Sequence, residues 1–195
     1  AQLRTAFSQY VQGSLVERII DDPSKLKLGG ERRELTVMFS DIRGFSRFSE
    51  TLDPEALSRL LNEYLTPMTD HVFDHGGMLD KYIGDAVMAV YGAPLPMDEK
   101  LQAEKACATA LAWMAALKDL NKDWSKRKIP PVAIGVGINT GAMAVGNMGS
   151  ENRFDYTVLG DAVNLAARLE AITKEYKAWI ITGPRTYELA KDRYA

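Results

Sequence analysis

A chain of 195 residues, 46% hydrophobic and 26% charged, can bury one sizeable core and has the composition of a globular domain rather than of a disordered or fibrous chain. Its 24 basic and 26 acidic residues leave a net charge of -2, so no bulk charge recruits DNA, RNA or an anionic membrane, and local sites must carry the function. The single cysteine, Cys107, excludes an intrachain disulfide and a cysteine zinc cluster and suits a reducing compartment.

Along residues 1–30, Leu3, Phe7, Tyr10, Val11, Leu15, Val16 and Ile19 recur at helical spacing, and "DDPSKLKLGG" ends the pattern with Pro23, Gly29 and Gly30. This part reads as an N-terminal helix and linker, either packed on the domain or leading from an upstream module. The start at Ala1 favours a fragment, and residues 31–195 form the main domain. "ELTVMFSD" is a β-branched apolar strand ending on Asp41. Asp53 as N-cap and Pro54 at the first helical position open a helix carrying Leu57, Leu60, Leu61, Tyr64, Leu65, Met68 and Val72, and Gly76 is placed to end it. In "MLDKYIGDAVMAVYG", two apolar runs meet at Ile83 and Gly84, the pattern of a β-hairpin. A long Ala-rich helix follows from about Asp98 to Trp124. The glycines of "VAIGVGINTGAMAVGNM" predict two strands around a turn; with Asn139 they also make this most apolar window, 130–148, neither a signal peptide nor a membrane span. "RFDYTVLG" is another strand, a helix runs from near Asp161 through "AVNLAARLEAITKEY", and "AWIIT" with a short helix from Pro184 completes the pattern.

This order predicts an α+β fold: a ferredoxin-like βαββαβ core with additional strands and helices, its antiparallel-rich sheet covered by helices on one face. A doubly wound parallel sheet would need a crossover helix between successive strands, which two hairpins contradict.

Three stretches carry candidate chemistry. In "FSDIRGF", a carboxylate at a strand end and a glycine three residues later can offer an oxygen ligand and free N–H groups to a hard divalent cation carrying phosphates. The plainer alternative is that Asp41 caps the next helix. In "KYIGDAVM", Asp85 would lie near Asp41 if strand and hairpin are neighbours; the alternative is a Lys81–Asp85 ion pair across the turn, worth about 0.2–1 kcal/mol if exposed. In "YTVLGDAVNLAARLE", Asn164 and Arg168 stand four apart on one helix face, which alone could be a solvated face. His71 and His75, at a helix end beside Gly76, read as dipole partners or surface residues.

Together, "FSDIRGF", "DKYIGDAVMAVYG" and "DYTVLGDAVNLAARLE" resemble, in order and spacing, the class III nucleotidyl cyclase catalytic domain, from about Leu28 onward. The resemblance implies that Asp41 and Asp85 hold two Mg²⁺ or Mn²⁺ ions per active site, with the Ile42 carbonyl also touching metal. It implies that N–H groups at Gly44 and Phe45 hold the triphosphate, that Lys81 and Thr157 recognise the purine, that Asn164 orients the ribose and that Arg168 stabilises the transition state. Lys81 can donate to adenine N1 and Thr157 can accept from N6, whereas the guanylate cyclases carry glutamate and cysteine there. The implied function is adenylate cyclase, ATP to 3′,5′-cyclic AMP and pyrophosphate, and the Lys81 and Thr157 pair resembles the bicarbonate-responsive subclass. The family's arginine for terminal phosphates has no assigned match here, although Arg153 lies nearby.

In that family the metal half and the purine half of each site come from different subunits, so the resemblance implies a homodimer with two shared active sites and no nucleic-acid partner. ATP as substrate implies a cytoplasmic position with no membrane contact from this segment, which leaves room for a larger, membrane-anchored protein. A guanylate cyclase and a catalytically inactive cyclase-like dimerisation module are the rival readings. A diguanylate cyclase or polymerase palm shares the core order but requires a "GGDEF"-like hairpin that this sequence lacks.

Overall fold

Strand β1 (Gly29–Ile42) is the spine of the fold. In the computed structural model, which describes residues 11–25 and 27–194, it pairs antiparallel with β3 (Ala86–Tyr91) on one side. On the other side it pairs along its whole length with β4 (Ile134–Ser150). Strand β2 (Met78–Ile83) joins β3 through the Gly84–Asp85 turn, and β5 (Arg153–Leu159) extends the sheet to the order β2-β3-β1-β4-β5. β6 (Ile180–Thr182) adds parallel to β4 at Val136–Ile138. The first four strands have the ferredoxin-like order that the sequence predicts.

The helices are α1 (Gly13–Asp21), α2 (Phe45–Ser49), α3 (Pro54–Asp74), α4 (Glu99–Lys126), α5 (Asp161–Ile172) and α6 (Pro184–Tyr194). The expected caps are present: the Asp53 carboxylate accepts from Ala56 N at 2.8 Å, and Gly76 takes a positive φ of 76° just past α3. Met38 and Ile42 of β1 pack with Tyr64 and Met68 of α3 and Trp113 of α4, and Cys107 lies in this layer with its thiol pushed up to about 11 by burial. Leu35 and Val37 face the other way and pack with Met143, Val145, Val158 and, from α5, Val163 and Ala166. Helices therefore cover both faces of the sheet, not one.

The glycines of β4 explain the difference. Ile134, Val136 and Ile138 point into the α3–α4 layer, while Gly135 and Gly137 leave bare backbone beneath α5. A Cβ at Gly137 would stand 2.3 Å from the Ala166 carbonyl oxygen and 2.3 Å from the Glu170 amide nitrogen. The same glycines, expected to mark a turn between two strands, belong to one strand of 17 residues. β1 also begins before its apolar run, because Glu31, Arg32 and Arg33 pair with β4 while remaining largely outside the core.

The two ends of the sheet come together. The side chain of Gln12 caps β2, donating to Gly77 O at 3.2 Å and accepting from Leu79 N at 3.0 Å, while Arg18 of α1 donates to the Tyr156 hydroxyl of β5 at 2.7 Å. The N-terminal helix thus packs on the domain; Leu3, Phe7 and Tyr10, also expected in it, lie outside the described residues. No described helix is long and apolar enough to cross a membrane.

Candidate active site

The β1–β3 register sets Ser40 opposite Val87, which brings the end of β1 beside the β2–β3 turn. There Asp85 accepts a hydrogen bond from Ile42 N at 2.8 Å. Burial pushes the Asp85 carboxyl up to about 7, with the Asp41 carboxylate acting in the same direction and the Ile42 N–H opposing. Glu170 is also raised, by burial first and then by Asp41. No lysine or arginine among the described residues forms an ion pair with Asp41 or Asp85. Two carboxylates held together without a neutralising cation, beside the Ile42 carbonyl, form a hard-oxygen donor set suited to Mg²⁺ or Mn²⁺. Among the described residues no three or more His, Cys, Asp or Glu side chains are arranged to hold a metal ion by themselves, so any ion here would need further oxygens from water or substrate phosphates.

Beyond Ile42 the chain turns at Gly44, whose φ of 71° is left-handed, and enters α2 with the N–H groups of its first turn free of helical carbonyls. Arg43 fixes this turn. Its backbone N–H donates to Ala133 O at 2.7 Å, its guanidinium stacks over the Trp179 ring with the centroid 4.5 Å away, and it donates to the Ala178 carbonyl. The sequence does not single out Arg43, because its partners lie far along the chain at 178 and 179.

Lys81 does not pair with Asp85, as the plainer reading of that turn would have it. Its ammonium lies 3.6 Å from Oδ1 of Asp80, and the Thr157 hydroxyl of β5 donates to Oδ2 of the same carboxylate at 2.6 Å. The β2–β3 register slips at this point, with Leu79 opposite Ala89 and Lys81 opposite Met88, leaving Asp80 as the bulged residue. The slip directs the consecutive side chains of Asp80 and Lys81 toward one face, which simple alternation would forbid. Asp80, whose side chain is 1% exposed, thus joins the two purine-recognition candidates, although the sequence reading assigned it no role. Its carboxyl is raised by burial, against the opposing effects of the Thr157 hydroxyl and Lys81. A cleft of about 490 Å³ between α1, β2 and the start of β5 carries Asp80, Lys81, Arg153 and Tyr156.

Helix α5 buries Val163 and Ala166 against the sheet. At about 100° per residue, Asn164 and Arg168 fall on its far side, and both are exposed. Asp41, opposite Gly135, instead lies toward Glu170 on the sheet-facing side of the same helix. The three stretches therefore form two clusters within one chain, carboxylates at the β1 end and purine candidates at the β2–β5 junction, and a third, outward-facing pair on α5. His71 and His75 remain at the end of α3, where His75 Nδ1 lies 2.7 Å from the His71 carbonyl.

Residues 30–194 match the family model of the adenylate and guanylate cyclase catalytic domain. Among curated proteins, the adenylate cyclase of Anabaena cylindrica is 38% identical over 74% of this chain, which spans only 28% of that protein's length. Among solved structures, the adenylyl cyclase CyaB from P. aeruginosa superposes with a TM-score of 0.81 and 43% identity, covering 85% of this chain and 84% of that one. A guanylyl cyclase superposes with a TM-score of 0.77 and 38% identity, over 85% of this chain and 82% of that one.

Proposed function

The chain belongs to the adenylate and guanylate cyclase catalytic-domain family, and on that premise we propose that it is an adenylate cyclase converting ATP to 3′,5′-cyclic AMP and pyrophosphate. The observation that carries the substrate choice is the convergence of Lys81 and Thr157, from opposite edges of the sheet, on the Asp80 carboxylate. An ammonium donor beside a hydroxyl acceptor complements adenine N1 and N6, and mismatches the N1–H and O6 of guanine.

Asp41, Asp85 and the Ile42 carbonyl would hold two Mg²⁺ or Mn²⁺ ions, which when bound would lower the pKa of the ribose 3′-OH and neutralise the leaving pyrophosphate. The N–H groups at Gly44 and Phe45 would seat the triphosphate, the turn being held by Arg43. Asn164 would fix the sugar with O3′ facing the α-phosphorus, and Arg168 would stabilise charge on the in-line transition state. No side chain need act as a nucleophile.

The outward aim of Asn164 and Arg168 supports sites shared between two subunits, each copy lending its α5 to the carboxylates of the other. A homodimer acting on cytoplasmic ATP is the assembly this implies. Asp41→Ala and Arg168→Ala should each be inactive, yet their equimolar mixture should recover about a quarter of wild-type activity. Half the dimers are then mixed, and each mixed dimer has one intact site of two. No recovery from dimers shown to exchange would sink the shared-site reading.

Guanylate cyclase is the second reading, favoured by the guanylyl cyclase neighbour. Product formation from ATP and from GTP, with Mg²⁺ and with Mn²⁺, decides between them, and stimulation by bicarbonate in the same assay tests the subclass.

A further inference from the structure

We propose that Asp80 is a specificity-determining positioning residue, which sets the hydrogen-bond polarity of the purine subsite by committing the Thr157 proton and anchoring the Lys81 ammonium. The inference rests on the adenylate cyclase reading and explains how that subsite tells adenine from guanine.

A threonine hydroxyl is ambivalent, with one proton to donate and lone pairs to accept, so by rotation it could serve either purine. A guanine O6 would take its proton; an adenine N6 amino group would take a lone pair. In this chain the proton is already engaged: an ionised carboxylate only accepts, so the 2.6 Å contact to Asp80 Oδ2 requires Thr157 to be the donor. What the hydroxyl then offers a purine is acceptor capacity alone. The second oxygen works on the other half of the pair. Asp80 Oδ1 is buried and makes no hydrogen bond, and the Lys81 ammonium lies 3.6 Å away. That charge restrains a flexible side chain at the position where it can donate to adenine N1.

Two further observations make Asp80 more than a passing contact. Its side chain is 1% exposed, and a carboxylate is expensive to bury unless charge and hydrogen bonds compensate it; Thr157 and Lys81 do so, with the Val158 backbone N–H acting in the same direction. It is also the residue at which β2 slips register against β3, and this slip is what places Asp80 and Lys81 on one face.

The test is nucleotide preference, which a merely structural residue would leave unchanged. In Asp80→Asn, close to isosteric, the amide can turn its NH₂ toward Thr157 and release the hydroxyl proton, and the charge that anchors Lys81 is gone. The ratio of kcat/KM for ATP to that for GTP should fall about tenfold, the scale of one hydrogen bond, mainly through a higher KM for ATP. Binding of 3′-deoxy-ATP and 3′-deoxy-GTP, which cannot cyclise, should show the same narrowing, and Asp80→Ala serves if the asparagine variant does not fold. In a Thr157→Val background, Asp80→Asn should change the ratio less, because the hydroxyl is gone and only the anchoring of Lys81 is left for it to remove. Equal losses with both nucleotides, or a full additional drop in the Thr157→Val background, would overturn the inference. If the unsubstituted protein neither cyclises ATP nor binds the adenine analogue in preference, the adenylate cyclase reading itself falls, and the inference with it.

Discussion

Lys81 and Asp85, four residues apart around a hairpin, serve different neighbours: Asp85 takes the Ile42 N–H, and Lys81 takes the Asp80 carboxylate. This arrangement constrains any attempt to change the substrate. Introducing the guanylate-type pair as Lys81→Glu with Thr157→Cys would set a glutamate beside the buried Asp80, where like charges repel and Oδ1 has no hydrogen bond to soften the contact. The double variant should therefore gain little activity with GTP, and adding Asp80→Asn should raise it by about tenfold; equal GTP activity in the two would show that Asp80 does not oppose the switch. The metal end makes a separate prediction through pH. The Asp85 carboxyl titrates near 7 in the folded, metal-free chain against an ordinary value of 3.8. Because the folded state binds this proton more tightly, the contribution is fully present below about pH 4 and is lost as pH rises through about 7. In the presence of a chelator, the melting temperature should carry a component that declines across that window. Asp85→Asn should remove it, and Mn²⁺ should bind more tightly as the pH rises through 7. A melting profile identical in Asp85→Asn and the parent would contradict this account.

At the scale of elements, the placement of α5 depends on Gly135 and Gly137. A Cβ on Gly137 would meet the Ala166 carbonyl and the Glu170 amide, both backbone atoms that cannot rotate away, so Gly137→Ala must push the helix off the sheet. The expected cost is about 1–3 kcal/mol of stability, read by denaturant unfolding. Because the same helix carries Asn164 and Arg168, kcat should fall more steeply than stability requires, by about a hundredfold. An unchanged kcat would mean that α5 need not be placed so finely. These glycines also show what the sequence conceals. Apolar alternation and capping residues disclosed the hairpin, the start of α3 and the ferredoxin-like order, because those signals are local. Gly135 and Gly137 look like turn markers until the helix that lies on them is known, and that helix is distant in the sequence. Asp80 is concealed for a related reason: a strand read by strict alternation turns neighbouring side chains to opposite faces, and the register slip that overrides this is a property of the β2–β3 pair. Arg43 likewise acquires its place only when Ala178 and Trp179 fold back beside β1. The candidate site was legible where function is written in contiguous motifs, and it was not where one motif is held in position by another.

At the scale of the whole molecule, the question is whether one chain can complete a site. The orientation of α5 argues that it cannot. Val163 and Ala166 must stay against the sheet to remain buried, which keeps Asn164 and Arg168 turned outward, while Asp41 and Asp85 sit at the end of β1 toward the other side of that helix. Rotating α5 to aim Arg168 at its own carboxylates would expose Val163 and Ala166 and drive side chains into Gly135 and Gly137, where there is no room. A second copy would supply the outward-facing pair without disturbing either core. Activity should accordingly depend on association. Above the dimer dissociation constant, rate should rise in proportion to protein concentration; below it, rate should rise with the square, because the population of dimers does. The measurement is initial rate against protein concentration, paired with sedimentation at the same dilutions so that the change in slope can be compared with the loss of dimer. Proportionality maintained where sedimentation finds only monomers would mean that a single chain holds a complete site, and α5 would then have to move during turnover.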